Sequence, residues 1–211
     1  DLAASVDKTE LGIPDDANLV AVVGRLEEQK GIDWLIEQVA ALAADNGRIH
    51  FAFCGRGDLD LYRRQAENCG VAERTHFLGW RGDVAGILKS SDLLLLPSRW
   101  EGMPNVVLEA MSLCVPILAT PSHGVMEVLG PTAKHMTFAH GSSEALRERT
   151  RHWLNERSEQ DSKLLQDNHY RAVHEFSVAT MVRRYERLYA SSDTGRSGRE
   201  AINQPRSGGS T

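Results

Sequence analysis

Short apolar runs alternate with amphipathic stretches from residue 19 to residue 119. The first run, residues 19–24, is rich in branched side chains and follows a Pro-Asp-Asp turn segment, so it predicts a buried parallel strand. Beyond Gly31, apolar positions recur near helical spacing up to Asn46-Gly47, which predicts an amphipathic helix that ends there. Similar runs predict further strands at residues 49–54, 75–78, 93–96 and 115–119, and further helices at residues 58–68, 84–89 and 104–113.

This alternation predicts an α/β fold, a Rossmann-like doubly wound parallel sheet with helices on both faces. In such folds, ligands bind beyond the carboxyl ends of the strands. The candidate ligand-binding loops are therefore residues 25–30, 55–57, 79–82, 97–103 and 120–124.

The pattern changes after residue 141, where only helices are predicted, at residues 142–154, 159–174 and 178–189. Residues 1–190 are accordingly predicted to form one domain. Residues 191–211 are rich in Ser, Gly, Arg and Thr and lack the apolar content that would offset the entropy of ordering. We therefore expect a disordered tail there.

Composition argues against several function classes. The formal net charge of −5 provides no general attraction to nucleic acid, and no apolar run approaches the ~20 residues that span a membrane. The three cysteines, Cys54, Cys69 and Cys114, are scattered and lack Cys-x-x-Cys spacing, so neither a zinc site nor a disulfide framework is indicated. This cysteine usage fits a reducing compartment and predicts a cytoplasmic location.

Two cations lie five residues apart in the loop after the first strand, Arg25 and Lys30. Arg offers a planar fork and Lys a compact charge, and the start of a helix adds free N–H groups, so this loop suits a diphosphate. The alternative is that both are solvated surface cations beside Glu27 and Glu28.

The segment after the fourth strand carries two carboxylates separated by seven residues, Glu101 and Glu109. Pro104 suits the first position of a helix, which places Glu101 in the loop at the helix mouth and Glu109 in the second turn. Free N–H groups there would point at an anion, and the carboxylates would accept hydrogen bonds from sugar hydroxyls. The N–H groups concerned belong to Gly102, Met103, Asn105 and Val106. The alternative is that Glu101 caps the helix while Glu109 lies on its solvated face.

These segments together resemble the donor-binding, C-terminal domain of the group 1 family of retaining GT-B glycosyltransferases. The resemblance spans residues 10–190. It rests on Val-Gly-Arg-Leu at residues 23–26 with Lys30-Gly31, Phe-Leu-Gly at 77–79, Ser-Asp at 91–92, Pro-Ser at 97–98, and the Glu-x7-Glu motif from Glu101 to Glu109.

The resemblance implies roles for individual residues. Arg25 and Lys30 would bind the donor diphosphate, and Glu101 would reach the transferred sugar; these three are the predicted catalytic residues. Glu109 would bind the nucleotide ribose. The remaining predicted donor-binding residues are Gly102, Met103, Asn105, Val106, Trp80, Arg81 and Gly124. The backbone around Trp80 and Arg81 would contact the base, although the Trp80 side chain could instead simply pack.

The loop after the fifth strand departs from the family pattern, which often has a Gly-Gly pair where this chain reads Ser122-His123-Gly124. Gly124 is the predicted phosphate neighbour, and His123 either approaches the diphosphate or faces solvent. The eight histidines show no paired metal spacing, and GT-B enzymes resemble each other in needing no bound metal. No metal or other cofactor is therefore predicted, and the charge on the leaving diphosphate falls to Arg25 and Lys30.

A complete GT-B enzyme has two Rossmann-like domains with the reaction in the cleft between them, and this chain carries one. The resemblance implies retaining transfer of a hexose from a nucleoside-diphosphate sugar, such as a UDP-sugar, in the synthesis of cell-surface polysaccharide or glycoconjugate. The N-terminal acceptor domain, absent from this chain, would be the partner and the route to any peripheral membrane association. Alone, the chain is expected to bind nucleotide weakly and to catalyse nothing.

Two other classes of function stay open at this point. One is a non-catalytic nucleotide-binding module that has lost its partner domain. The other is a different GT-B enzyme, an epimerase or a phosphorylase, against which the seven-residue Glu spacing argues.

Overall fold

The computed structural model describes residues 4–197, and its centre is one parallel sheet. The strands described are β1 (Asn18–Val23), β2 (Ile49–Cys54), β3 (Thr75–Gly79), β4 (Leu93–Leu96) and β5 (Ile117–Ala119). Their order across the sheet is β3-β2-β1-β4-β5, and each neighbouring pair is parallel. The predicted α/β sheet is thus confirmed.

Nine α-helices connect and follow these strands within the described residues. They are α1 (Ile32–Asp45), α2 (Leu59–Asn68), α3 (Val84–Lys89), α4 (Asn105–Ser112), α5 (His123–Leu129), α6 (Ala133–Met136), α7 (Ser143–Asn155), α8 (Glu159–Glu175) and α9 (Val178–Ser197). The chain moves from β1 to β3 in one direction and from β4 to β5 in the other, so right-handed crossovers place α1 and α2 on one face and α3 and α4 on the other. Helix α1 packs against α2 and α7, and α4 packs against α3 and α5.

The central strands are apolar because both of their faces are covered by helices. All four leucines of β4 are buried, as are Phe51 and Phe53 of β2. On the helical side, Leu35, Ile36 and Val39 of α1 face this core. These contacts hold the sheet rigidly, so the loops at its carboxyl edge start from fixed positions.

The structure corrects the predicted starts of α4 and β5 and adds two helices. Pro104 precedes α4 as its N-cap, because its ψ of 90° is not helical, and the helix begins at Asn105. β5 starts at Ile117, two residues later than predicted, since Pro116 has no N–H for a strand ladder. Helices α5 and α6 fall where no helix was predicted. α5 contains Gly124 and β-branched residues, which are weak helix formers, and its apolar face is buried against the domain.

Contacts divide the chain into two compact units, Asp1–Ala172 and Val173–Thr211. The first contains the whole sheet. The second contains α9, whose large apolar side chains include the exposed Met181, Tyr185 and Leu188. The boundary at residue 190 that the sequence suggests stays a prediction.

Helix α9 runs to Ser197 and so enters the segment for which a disordered tail was predicted from residue 191. A helix propagates beyond its last apolar position because each added residue also adds a backbone hydrogen bond. The rest of that predicted tail, residues 198–211, lies outside the described residues. Within residues 4–197, no helix has the length and apolar character needed to cross a membrane.

Candidate functional site

The adjacent strands β1 and β4 define a crevice at the carboxyl edge of the sheet. They pair in parallel, with Val20 opposite Leu93, although they are far apart in sequence. Beyond β1 the chain continues to β2 on one side, and beyond β4 it continues to β5 on the other. Loops that leave such a pair separate toward opposite faces, and the space between them is where ligands bind in open α/β sheets.

A groove of about 480 Å³ opens at this position. A volume of this size lies in the range of pockets that hold small molecules. The groove is lined by Val23, Gly24, Lys30, Trp80, Arg81, Gly82, Val84, Glu101, Met103, Pro104, Asn105, Val106 and Glu109. Loops after β1, β3 and β4 therefore contribute, together with the first turns of α4.

The strongest polar contact in the groove joins Lys30 to Glu101. Lys30 Nζ lies 2.5 Å from Glu101 Oε1, and the two side chains are only 16% and 7% exposed. Ser98 Oγ donates a second hydrogen bond, of 2.6 Å, to the same carboxylate oxygen. Ser98 is itself buried, and its carbonyl accepts a hydrogen bond from Thr120 Oγ1. A nearly buried carboxylate needs such partners, so Glu101 is held in one orientation.

Two glycines let Lys30 reach this position. Gly31 adopts a left-handed conformation with φ of 66°, and a Cβ there would lie 2.3 Å from the carbonyl oxygen of Pro97. The loop after β1 thus rests directly on the loop after β4. At Gly24, a Cβ would lie 3.2 Å from Lys30 Cε, so the Lys30 stem packs across this glycine.

Helix α4 contributes backbone donors and the second carboxylate. The first N–H groups of an α-helix have no acceptor within the helix, and the helix dipole is positive at that end. Asn105 and Val106 begin the helix and line the groove. Glu109 follows Asn105 by four residues, so both lie on the same side of α4 and face the groove.

The loop after β3 closes the far side of the groove with an aromatic and a cationic residue. Trp80 is 66% exposed, and the Arg56 guanidinium lies 5.8 Å from its ring centroid, a cation–π contact. Arg81 donates two hydrogen bonds, of 2.8 and 2.6 Å, to the Asp83 carboxylate. These bonds hold the pKa of Asp83 below its usual value, so the Arg81 side chain is neutralised by its neighbour.

Three predicted site residues do not line the groove. The Arg25 side chain is 65% exposed and pairs with Glu27, Nη1 to Oε1, at 3.2 Å. Gly102 and Gly124 instead touch each other, since a Cβ on Gly124 would lie 1.6 Å from the Gly102 carbonyl oxygen. The start of α5 therefore rests on the loop that carries Glu101. His123, next to this contact, is exposed.

Several residues that line the groove were not predicted from the sequence. Val23, Gly24, Gly82, Val84 and Pro104 were not assigned, although each lies within three residues of an assigned one at the end of a strand. Their proximity to strand ends was a sufficient reason to assign them to the groove. Ser98 and Thr120 are different, because only the tertiary structure brings Thr120 to Ser98 and Ser98 to Glu101.

Other reactive groups lie apart from this groove. Burial raises the pKa of the Cys54 thiol to about 12, so this thiol stays protonated and unreactive. Within residues 4–197, no three His, Cys, Asp or Glu side chains come together in a way that could hold a metal ion. That catalysis needs no metal stays a prediction.

Comparison with known proteins relates this chain to one family. Residues 5–170 match the model of the family described as glycosyl transferases group 1. The lipopolysaccharide core biosynthesis glycosyltransferase LpsE of Rhizobium meliloti is 34% identical over 121 residues, which cover 57% of this chain and 34% of that protein. The UDP-Gal:alpha-D-GlcNAc-diphosphoundecaprenol alpha-1,3-galactosyltransferase of Escherichia coli is 36% identical over 119 residues, which cover 54% of this chain and 30% of that protein.

Solved structures share the fold. The crystal structure of HepE from Anabaena in complex with UDP matches with a TM-score of 0.76 at 21% sequence identity, covering 87% of this chain and 51% of that chain. This chain spans about a third of the length of the two curated relatives.

Proposed function

The chain belongs to the group 1 family of glycosyltransferases, and on that premise we propose that its groove binds a nucleoside-diphosphate sugar as the donor for hexose transfer. One observation carries the proposal, the contact between Lys30 and Glu101 beside the start of α4. It places a cation suited to phosphate and a carboxylate suited to sugar hydroxyls in one groove. A phosphate next to a sugar is the defining feature of such a donor.

The donor diphosphate is bound by Lys30, by Arg25 and by the N–H groups at the start of α4. Lys30 is already in the groove, whereas Arg25 must turn away from Glu27 to reach a ligand. Exposed ion pairs of this kind hold their side chains weakly, so a diphosphate would compete effectively for Arg25. Gly124 lies on the Gly102 loop close by, and we retain it as a phosphate neighbour.

The sugar, the ribose and the base occupy the rest of the groove. Glu101 accepts hydrogen bonds from the sugar hydroxyls, and Glu109, four residues along α4 from Asn105, accepts them from the ribose. The loop at Trp80 and Arg81 receives the base, with contacts through its backbone because the Arg81 side chain is held by Asp83.

The chemistry we propose is transfer with retention at the anomeric carbon. The bond from that carbon to the leaving diphosphate breaks, the acceptor oxygen forms its bond on the same face of the sugar, and the proton of the acceptor hydroxyl passes to the leaving phosphate. As this bond breaks, negative charge grows on the leaving phosphate, where Lys30 and the α4 N–H groups are already in place and Arg25 turns from Glu27 to join them. Charges and dipoles oriented in advance for a developing charge are often the largest contribution to catalysis.

In the proposed function, the acceptor binds to a part of the full-length protein that lies outside this chain. An N-terminal domain of the same full-length protein binds the acceptor and, in the cytoplasm, provides any peripheral attachment to a membrane. The relatives in lipopolysaccharide core biosynthesis and galactosyl transfer support a product in cell-surface polysaccharide or glycoconjugate synthesis. The present chain alone would bind nucleotide weakly and catalyse no transfer.

Calorimetric titration of UDP, GDP and ADP against the chain tests the donor site. UDP is the first choice, since the name of the Escherichia coli relative includes UDP-Gal. Lys30→Met should weaken binding about 10-fold or more, because a charge-assisted hydrogen bond is lost. Lys163→Met, at an exposed position of α8, is the matched control and should bind as the wild type does. Equal binding by the wild type and Lys30→Met would refute the site, and binding of none of the three nucleotides would refute the function.

A further inference from the structure

The loops that carry Lys30 and Glu101 are joined outside the groove as well as inside it. The Arg99 backbone N–H donates to the Gln29 carbonyl at 2.8 Å. Gln29 Nε2 donates in return to the Trp100 carbonyl at 3.1 Å. Together with the close approach of Gly31 to Pro97, these bonds fix the position of one loop relative to the other.

The Arg99 side chain adds a bridge across the short helical turn that carries Lys30. Its Nη1 lies 2.6 Å from Glu28 Oε1, and its Nη2 lies 2.9 Å from Asp33 Oδ2. Glu28 begins the 3₁₀ turn Glu28–Lys30, and Asp33 lies in the first turn of α1. One planar guanidinium therefore holds both ends of the segment from which Lys30 projects. Arg99 itself does not line the groove.

Single exposed ion pairs contribute little to stability, but a fork that bridges two carboxylates in a network is better defined. Here the side-chain bridge acts together with two backbone-directed hydrogen bonds between the same loops. Lys30 has four rotatable bonds, so its placement depends on the position of its backbone. A side chain that is ordered before binding leaves less entropy to be lost when the ligand arrives.

We propose that Arg99 is a positioning residue for the phosphate site: by bridging Glu28 and Asp33 it holds Lys30 in the groove and raises affinity for a nucleoside diphosphate. The proposal rests on the proposed function for its ligand. It differs from a simple charge effect, because the bridge needs both arms of the guanidinium, whereas Lys at this position would keep the charge and reach only one carboxylate.

Calorimetric titration of UDP against Arg99→Gln and Arg99→Lys tests the bridge. Both variants should bind about fivefold more weakly than the wild type, a loss typical of coupled neighbouring residues. The matched control is Arg147→Gln, since Arg147 makes a similar two-armed contact, of 2.8 and 2.7 Å, with Asp45 away from the groove. It should bind UDP as the wild type does. Wild-type affinity in either Arg99 variant would overturn the proposal. In Arg99→Gln it would show that the Arg99 side chain has no role in binding. In Arg99→Lys it would show that the positive charge alone is sufficient.

The coupling to Lys30 has its own readout. If Arg99 acts through Lys30, the double variant Lys30→Met, Arg99→Gln should bind UDP no more weakly than Lys30→Met alone. A further loss of affinity in the double variant would overturn the claim that Arg99 works through Lys30.

Hydrogen–deuterium exchange without nucleotide separates a failure of this proposal from a failure of the proposed function. Arg99→Gln should raise exchange in residues 25–31 about fivefold, whereas Arg147→Gln should leave that segment unchanged. Should the wild type bind none of UDP, GDP and ADP, the proposed function falls, yet faster exchange would still support the bridge. Unchanged exchange in Arg99→Gln would overturn the bridge whatever the nucleotide result.

Discussion

A hollow lined with charged residues lies at each end of the strands, at the carboxyl edge and at the amino edge of the sheet. The charged residues of the two hollows differ in what they contact. At the carboxyl edge, Lys30 and Glu101 keep their charges in contact next to the start of α4. At the amino edge, a hollow of about 350 Å³ is lined by Pro14, Asp16, Ala17, Gly47, Arg48, His50, Glu73 and Arg74. The volumes are comparable, so size does not distinguish a functional site from a structural one.

Three polar side chains at the amino edge contact one another or the backbone. His50 Nδ1 and His76 Nε2 lie 3.0 Å apart, and Arg74 Nη1 donates to the Gly47 carbonyl at 2.5 Å. Burial, and to a lesser degree the neighbouring His50, lowers the pKa of His76 to about 4. This edge therefore favours neutral histidines. Because helices in a parallel α/β fold direct their N-termini to the carboxyl edge, the free N–H groups of α4 are offered to an anion at that edge.

The largest expected effect contrasts the packing of the two edges at glycine. Gly124→Ala should lower the free energy of unfolding by about 3 kcal/mol, because its Cβ would overlap the Gly102 carbonyl oxygen. Gly47→Ala is the control at the amino edge, since nothing lies within 4 Å of a Cβ there. Urea unfolding of both variants measures the difference. A Gly47→Ala variant as unstable as Gly124→Ala would contradict the expected difference in packing between these two glycines.

Nucleotide affinity is the next contrast. Glu109→Ala should weaken UDP binding about 10- to 100-fold, through loss of a hydrogen bond to a charged group. Glu73→Ala removes a carboxylate from the hollow at the amino edge and should leave UDP affinity unchanged. Calorimetric titration of both variants decides between the edges. Equal losses would mean that the ligand is not held in the carboxyl-edge groove.

The pH dependence of stability belongs to the amino edge. Unfolded His76 titrates near pH 6.5 and folded His76 near pH 4, so the unfolded chain takes up a proton first as the pH falls. The free energy of unfolding should therefore fall between about pH 6.5 and pH 4, by about 2 kcal/mol once solvent screening is allowed for. His76→Gln cannot titrate and should flatten this decline. Urea unfolding at pH 7 and pH 4.5 provides the measurement, and an identical decline in the variant would exclude His76 as its source.

The smallest expected effect refines the role of the Lys30–Glu101 contact. Glu101→Gln should tighten UDP binding by about twofold to fivefold, because it removes a negative charge that competes with phosphate for Lys30. Glu73→Gln serves as the isosteric control. Weaker UDP binding by Glu101→Gln would show instead that the carboxylate mainly holds Lys30 in place.

Sequence patterning predicted the sheet well where burial is complete. β2, α3 and β4 have the bounds that were expected, because β2 and β4 are strongly apolar and α3 is a short periodic segment. It failed for α5, whose Gly124 and β-branched residues are weak helix formers, so its helix depends on packing. Among the residues that line the groove, Lys30, Glu101 and Glu109 were predicted from their motifs. The hydrogen bonds by which Thr120 and Ser98 hold Glu101 were not predicted, since no local sequence pattern indicates them.

The alternation of strands and helices from β1 to β5, and the presence of two cations and two carboxylates in the segments that follow β1 and β4, were determined by sequence alone, because periodicity and residue type are local properties. Tertiary structure decided which of these groups meet. Lys30 and Glu101 are 71 residues apart and touch only because β1 and β4 pair and Gly31 lets one loop lie on the other. The same packing left Arg25 facing solvent beside Glu27, and brought Arg99 across Glu28 and Asp33. Such contacts depend on loops brought together by long-range pairing, which no sequence window contains.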